Sequence, residues 1–200
     1  VSDSSPESNW VSAEFEALFV DPRQGSPVVV LREASGNLIV PIWIGPFEAQ
    51  AIALALGGVH PPRPMTHDLL VSVVQQLGAK LSRLEIHALH EGTFYARLVL
   101  DPVGMTLAGS GPFADGSVLI DSRPSDGLAL ALRVKAPVFL AREVLEKAGI
   151  PRPTNVPGVP RQQEGEESSG EGGAEPDSEI VRAWSEWLAQ TRKGGSPEPV

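Results

Sequence analysis

Apolar and polar positions along this chain alternate in some stretches and recur at helical spacing in others. Val11, Ala13, Phe15 and Ala17 or Leu18 alternate with polar neighbours and predict a strand over 11–20. Asp21-Pro22-Arg23-Gln24-Gly25 reads as a turn, and Pro27 to Leu31 as a β-branched strand. Ser35-Gly36-Asn37 is a tight turn before a partner strand from Leu38 to Ile44. A second hairpin is still clearer. Leu84, Ile86 and Ala88 alternate with Arg83, Glu85 and His87, Glu91-Gly92 turns the chain, and Phe94, Ala96, Leu98 and Leu100 bring it back. Val118 to Ile120 and Pro137 to Leu140 predict two short further strands.

Helical spacing takes over between these strands. Gly45-Pro46 starts a helix in which Ala49, Ile52, Ala53 and Leu56 share one face, and Gly57-Gly58 stops it. Its alanine content predicts close packing against another element. A rigid Pro61-Pro62-Arg63-Pro64 entry leads to Thr66 as the expected N-cap of a helix over 66–77. That helix carries a stripe of Leu69, Leu70, Val73, Val74 and Leu77, closed by Gly78. Pro124 to Arg133 is apolar all round, the mark of a buried helix. Ala141 to Ala148 is the last helix before Gly149. The order β-β-β-α-α-β-β-β-α-β-α with hairpin connections predicts an α+β fold with a mainly antiparallel sheet and helices packed on it. The repeated Arg-Pro helix starts at 63 and 123 hint at an internal duplication.

Composition changes sharply at both ends. Residues 1–9 and 194–200 are polar and predicted disordered, and 10–150 form the folded domain. Residues 151–178 are an acidic Pro/Gly/Ser/Glu stretch, predicted to be a disordered linker. Residues 179–193 hold Ile180, Val181, Trp184, Trp187 and Leu188 at helical spacing, which predicts an amphipathic C-terminal helix. It is expected to dock on its own core or on a partner protein.

The net charge of −9 argues against sequence-independent nucleic-acid binding over the whole surface. Most of that acidity lies in the tails. Residues 1–9 and 151–200 together hold 11 acids and 5 bases, leaving 14 acids and 11 bases in 10–150. The chain has no cysteine, which excludes disulfides, thiolate metal sites and thiol nucleophiles. No apolar run reaches the ~18 residues of a membrane helix, and the acidic first ten residues are unlike a signal peptide. The expectation is a cytoplasmic protein with no membrane partner.

Standard catalytic signatures are missing: no nucleophile elbow, Walker loop, zincin helix or dinucleotide fingerprint. His87 and His90 read as solvent-facing residues of a strand and its turn, and His60 has no obvious partner. What remains is a set of acids and arginines at segment ends: Glu48, Asp68, Asp121 and Asp126, with Arg63, Arg123 and His67. If the helices starting at 46, 64 and 124 enter from one edge of the sheet, these groups converge. Carboxylates so gathered could hold Mg²⁺ or Mn²⁺, which take hard oxygen ligands. Arginines and free N–H groups at helix starts suit phosphate oxygens, and His67 suits proton transfer. An acid in a first helical turn also has a plain structural use, because it complements the helix dipole and pairs with neighbouring arginines. Adjacent His67 and Asp68 point about 100° apart on a helix, so one ion cannot easily take both.

Four stretches, LIVPIWIGPFEAQAIALAL, PPRPMTHDLL, GTFYARLVL and DSRPSDGLALAL, carry a resemblance. In this order, over about Val28 to Gly149, the chain resembles the bifunctional nuclease domain family, a bacterial and plant group described as acting on both DNA and RNA. The resemblance implies an α+β domain and a nuclease. Its motif positions here are Glu48, Arg63, His67, Asp68, Asp121, Arg123, Ser125 and Asp126. Two departures stand out: a longer, glycine-rich stretch at 101–116, and Gly127 where alanine is expected, which loosens the first turn after Asp126.

Two functions follow as expectations. The first is metal-assisted hydrolysis of DNA or RNA. Asp68, Asp126, Asp121 and Glu48 would hold Mg²⁺ or Mn²⁺, His67 with Asp68 and Asp126 would form the catalytic set, and Arg63, Arg123 and Ser125 would bind phosphate. The alternative is a non-enzymatic regulatory or interaction module. In it the acid–arginine cluster is structural, and function lies in a homo-oligomer surface or the tail helix.

Overall fold

A computed structural model describes residues 9–21, 24–59, 61–103 and 116–152. The expected N-terminal tail, the helix over 179–193 and nearly all of the expected linker lie outside these residues, as does most of the 101–116 stretch.

Twelve elements follow one another: β1 (Trp10–Asp21), β2 (Ser26–Glu33), β3 (Leu38–Trp43), α1 (Pro46–Leu56), α2 (Thr66–Gln76) and β4 (Ala79–His90), then β5 (Thr93–Pro102), β6 (Val118–Ser122), α3 (Pro124–Val134), β7 (Val138–Ala141), α4 (Arg142–Ala148) and β8 (Ile150–Pro151). The alternating stretches became the strands, and the α+β order is the one the pattern predicts with β8 added at its end. The expected domain end at 150 shifts slightly. Pro151 pairs with Leu38, and the Arg152 N–H donates to the Asn37 carbonyl at 2.9 Å, so the chain stays ordered two residues further.

One eight-stranded sheet, ordered β6-β5-β4-β7-β1-β2-β3-β8, carries the fold. It is antiparallel except where β7 lies parallel to β4, with Leu84 opposite Val138 and Ile86 opposite Leu140. The short β7 therefore joins two antiparallel halves, since its other edge pairs with β1 from Trp10 to Ala13.

All four helices of the described residues contribute to one core on one face of the sheet. Val29, Leu31 and Ile42 from one half meet Leu84, Ile86 and Leu98 from the other, beneath Ile52, Leu128 and Val144. Burying this much branched aliphatic side chain is the main stabilising term, at ~25 cal/mol per Å² of apolar surface. α3 is the central helix, with Leu128, Ala129, Leu130 and Ala131 all buried, and the alanine-rich α1 packs against it.

The structure orients two helix faces and corrects the reading of one glycine. Most of the α2 stripe points outward: Leu69, Leu70, Val73 and Leu77 are exposed, while its Val74 packs on the core together with Val71. On α1 only Ile52 is fully buried, while Ala53 and Leu56 face out. Periodicity identifies a stripe but not the side of the helix that meets the sheet. Gly127 does not loosen α3. A Cβ there would come within 2.3 Å of Leu84 Cδ1, so the missing side chain lets α3 sit close to β4.

Candidate functional site

Three helix entrances share one construction. α1 has Gly45 as N-cap and Pro46 first, α2 has Met65 as N-cap and Thr66 first, and α3 has Arg123 as N-cap and Pro124 first. Thr66 is thus the first helical residue rather than the expected cap. Counting on, Glu48, Asp68 and Asp126 each occupy the third helical position, where a carboxylate meets the positive end of the dipole and unpaired N–H groups. Asp68 Oδ2 accepts the Met65 N–H at 2.9 Å. Glu48 folds back over its own N-cap: a Cβ on Gly45 would lie 2.1 Å from Glu48 Oε2, so only glycine leaves that carboxylate its place.

Arg123 ties two of these entrances together. Its Nη1 lies 2.8 Å from Glu48 Oε1 on α1, and its Nε donates to Asp126 Oδ2 at 2.8 Å on α3. Both hydrogen bonding and charge from Asp126, then from Glu48, hold this guanidinium above its ordinary pKa. It is nonetheless two-thirds exposed, whereas Glu48 is mostly covered. On the other side of Asp126, His67 Nε2 lies 3.4 Å from Oδ1, at the outer limit of a hydrogen bond. The row Glu48–Arg123–Asp126–His67 therefore runs across α1, α3 and α2.

Asp68 belongs elsewhere. Its Oδ1 takes a 2.6 Å bond from Arg133 Nε, and Arg133 Nη1 also donates to the Ala51 and Ala129 carbonyls at 3.0 and 2.8 Å. Arg133 thus joins the last turn of α3 to α1 and to the start of α2. Sequence reading missed it, because a base in a last helical turn looks like ordinary dipole complementation. Asp121 is also apart from the row. It stands opposite Arg97 in the β5–β6 register, while the neighbouring Leu98, opposite Ile120, belongs to the core beneath the helices. Alternation places Asp121 on the other face. Arg63 is exposed on the approach to α2 and has no ion pair among the described residues, and Ser125 is buried in the first turn of α3.

The structure thus brings together Glu48, Arg123, Asp126 and His67, and separates Asp68 and Asp121 from them. As arranged, these groups do not fit a resident divalent ion. Arg123 already neutralises the two adjoining carboxylates, and no three potential ligands converge among the described residues. The set offers instead an exposed planar cation braced from behind, next to an imidazole that an acid can orient. Those groups suit a phosphate oxygen and a proton transfer.

No helix among the described residues is long and apolar enough to cross a membrane. The sequence profile of the bifunctional nuclease domain matches residues 29–153. An uncharacterized protein of Mycobacterium tuberculosis, Rv1829, is 44% identical over 131 residues, which is 66% of this chain and 71% of the relative. Bifunctional nuclease 2 of Oryza sativa subsp. japonica is 26% identical over 125 residues, 62% of this chain and 36% of that protein. Bifunctional nuclease 1 of Arabidopsis thaliana is 26% identical over 113 residues, 56% of this chain and 32% of that protein. This chain spans about a third of each plant nuclease and most of the mycobacterial relative. With more than half of its length matched by the family profile, the chain belongs to the bifunctional nuclease domain family.

Proposed function

We propose that this protein is a nuclease that hydrolyses phosphodiester bonds of DNA, RNA or both, at the row formed by Glu48, Arg123, Asp126 and His67. The observation that carries this reading is the exposed Arg123, braced by two carboxylates and sharing Asp126 with His67. Plant relatives named as bifunctional nucleases support the substrate class. Arg123 presents an exposed edge to a phosphate while its Nε stays on Asp126, and Arg63 on the approach to α2 adds a second cation. His67 moves a proton to or from the attacking or leaving oxygen, and Asp126 orients the ring. Ser125 is buried in the first turn of α3, and that helix start is where it would serve an anion.

Mg²⁺ or Mn²⁺ takes no part in this proposal, because Arg123 occupies Glu48 and Asp126. No step above depends on it. Asp68 and Asp121 would then act on the reaction indirectly, through the helix starts and the sheet.

The test is cleavage of labelled single-stranded DNA and RNA in Mg²⁺, Mn²⁺ or EDTA by the parent, His67→Gln and Asp126→Asn. Loss of at least ~100-fold in both variants is expected from removing general acid–base chemistry. Cleavage by both at the parental rate, or none by the parent, sinks the reading. The alternative is a regulatory or interaction module whose acid–arginine ties are structural. The outward apolar stripe of α2, unusual for a helix with no function at its surface, favours it. An inactive parent that forms a homo-oligomer lost on Leu69→Glu/Val73→Glu would establish it.

A further inference from the structure

The helices account for one face of the sheet. On the other face, the β1–β2–β3 half carries a second apolar cluster of Phe19, Val28, Val30 and Ile39, edged by Ala17, Trp43 and Ile150. The register sets Phe19 beside Val28, Val28 beside Trp43, Ala17 beside Val30 and Ile39 beside Ile150. None of the four helices contributes a side chain to it. Yet Val28, Val30 and Ile39 have no solvent-accessible surface, and Phe19 keeps only 5%. Neighbours within a sheet do not produce this. Side chains stand roughly perpendicular to the strands, so their tips stay open unless a second layer lies about 10 Å above.

We infer that residues 179–193 form that layer, packing the apolar stripe of Ile180, Val181, Trp184, Trp187 and Leu188 on Phe19, Val28, Val30, Ile39 and Trp43. Of the segments beyond the described residues, this one gathers five large apolar side chains within nine positions. Residues 1–8 offer almost none. The chain also leaves the described fold beside this patch. Ile150 is part of the cluster, and Arg152 bonds through its backbone to Asn37 and through its guanidinium to Glu16 Oε1 at 2.6 Å. Glu16, held also by Arg32 Nε at 2.9 Å, is a buried carboxylate at the rim of the same face. The 26 residues from 153 to 178 span a root-mean-square distance of about 30 Å as a flexible chain, enough to cross a domain this size. Phe19 and Trp43 supply aromatic faces against which indole rings pack in edge or offset geometry. Among the described residues, the outward stripe of α2 is a further apolar surface, and it is exposed. The tail segment and the β1–β3 face therefore complete each other.

The chain has no cysteine, so a single introduced thiol reports cover at one place. Val30→Cys lies on the proposed docking face, and Val29→Cys, beneath the helices, serves as the folding control. In the full chain under native conditions both thiols should react slowly with an alkylating reagent. In a chain ending at Ser178, Val30→Cys should react at least 10-fold faster while Val29→Cys stays slow. The full-length Trp184→Asp/Trp187→Asp chain should behave as the shortened one does, and it decides the matter if the shortened chain exposes Val29→Cys by unfolding. Slow labelling of Val30→Cys in all three chains, or fast labelling in the parent, overturns the inference. So does protection that appears on a Val73→Cys thiol of α2 only when the tail is present.

Discussion

Removing the Asp68 carboxylate separates a chemical role from a mechanical one. Asp68 accepts the Met65 N–H at the start of α2 and takes the 2.6 Å bond from Arg133, whose side chain is largely covered. Losing the capping acceptor costs about 1 kcal/mol, and losing a hydrogen bond between charged groups about 1.5–3 kcal/mol. Arg133 keeps the Ala51 and Ala129 carbonyls, which softens the second cost. The expected loss for Asp68→Ala is therefore about 2–3 kcal/mol, or a drop in Tm of roughly 8–12 °C for a domain of this size. Asp68→Asn keeps a capping oxygen and should lose about half of that. Thermal melts of Asp68→Ala, Arg133→Met and the double variant give the coupling directly, expected at about 1.5–2 kcal/mol. A Tm within 2 °C of the parent, coupling below ~0.5 kcal/mol and lost cleavage together would refute the reasoning and return Asp68 to the chemistry.

Other residues yield sharper single tests. Gly127→Ala gains about 1 kcal/mol of helix propensity but forces Leu84 aside at a cost of about 1–3 kcal/mol. Its Tm should fall by a few degrees, and a rise would show that Leu84 repacks freely. Glu85→Gln leaves Arg83 and Arg97 without the buried carboxylate they clamp at 2.7 and 2.6 Å. Urea unfolding should show a loss of about 3 kcal/mol, and a loss below ~1 kcal/mol would make the clamp dispensable. Burial, then the Arg97 charge, holds the His87 pKa below its ordinary value. The unfolded chain thus takes up that proton first as pH falls, and stability present above about pH 6.5 declines below it. His87→Gln should flatten this decline between pH 8 and 5 in urea titrations, and an unchanged slope assigns it to other groups.

The strands were legible because a period of two allows only two faces, and tight turns at Ser35-Gly36-Asn37 and Glu91-Gly92 fixed the hairpins. Helix orientation was not. The stripe of α2 is real, but a helix that meets α3 and β4 along one side can satisfy its core contacts with Val71 and Val74 and turn leucines outward. Alternation placed Glu85 with Arg83 and His87, away from the core, yet it is buried under two arginines. Among the chemical residues, the neighbourhood of Glu48, Arg123, Asp126 and His67 follows from acids at matching helix positions. The separation of Asp68 depends on Arg133, 65 residues away, which no local pattern announces.

The parallel join of β7 between β4 and β1 also bears on how the protein is made. The hairpins of β1–β3 and of β4–β5 close through contacts near in sequence, which form quickly. The strand that unites them is Val138–Ala141, well over a hundred residues after β1 begins. On the ribosome, two half-sheets therefore wait with open edges until that four-residue strand and the α3 helix before it have emerged. Synthesis at ~5–20 residues per second makes that wait last seconds. During it, the edges of β1 and β4 are the places where a chaperone, or a neighbouring nascent chain, can pair.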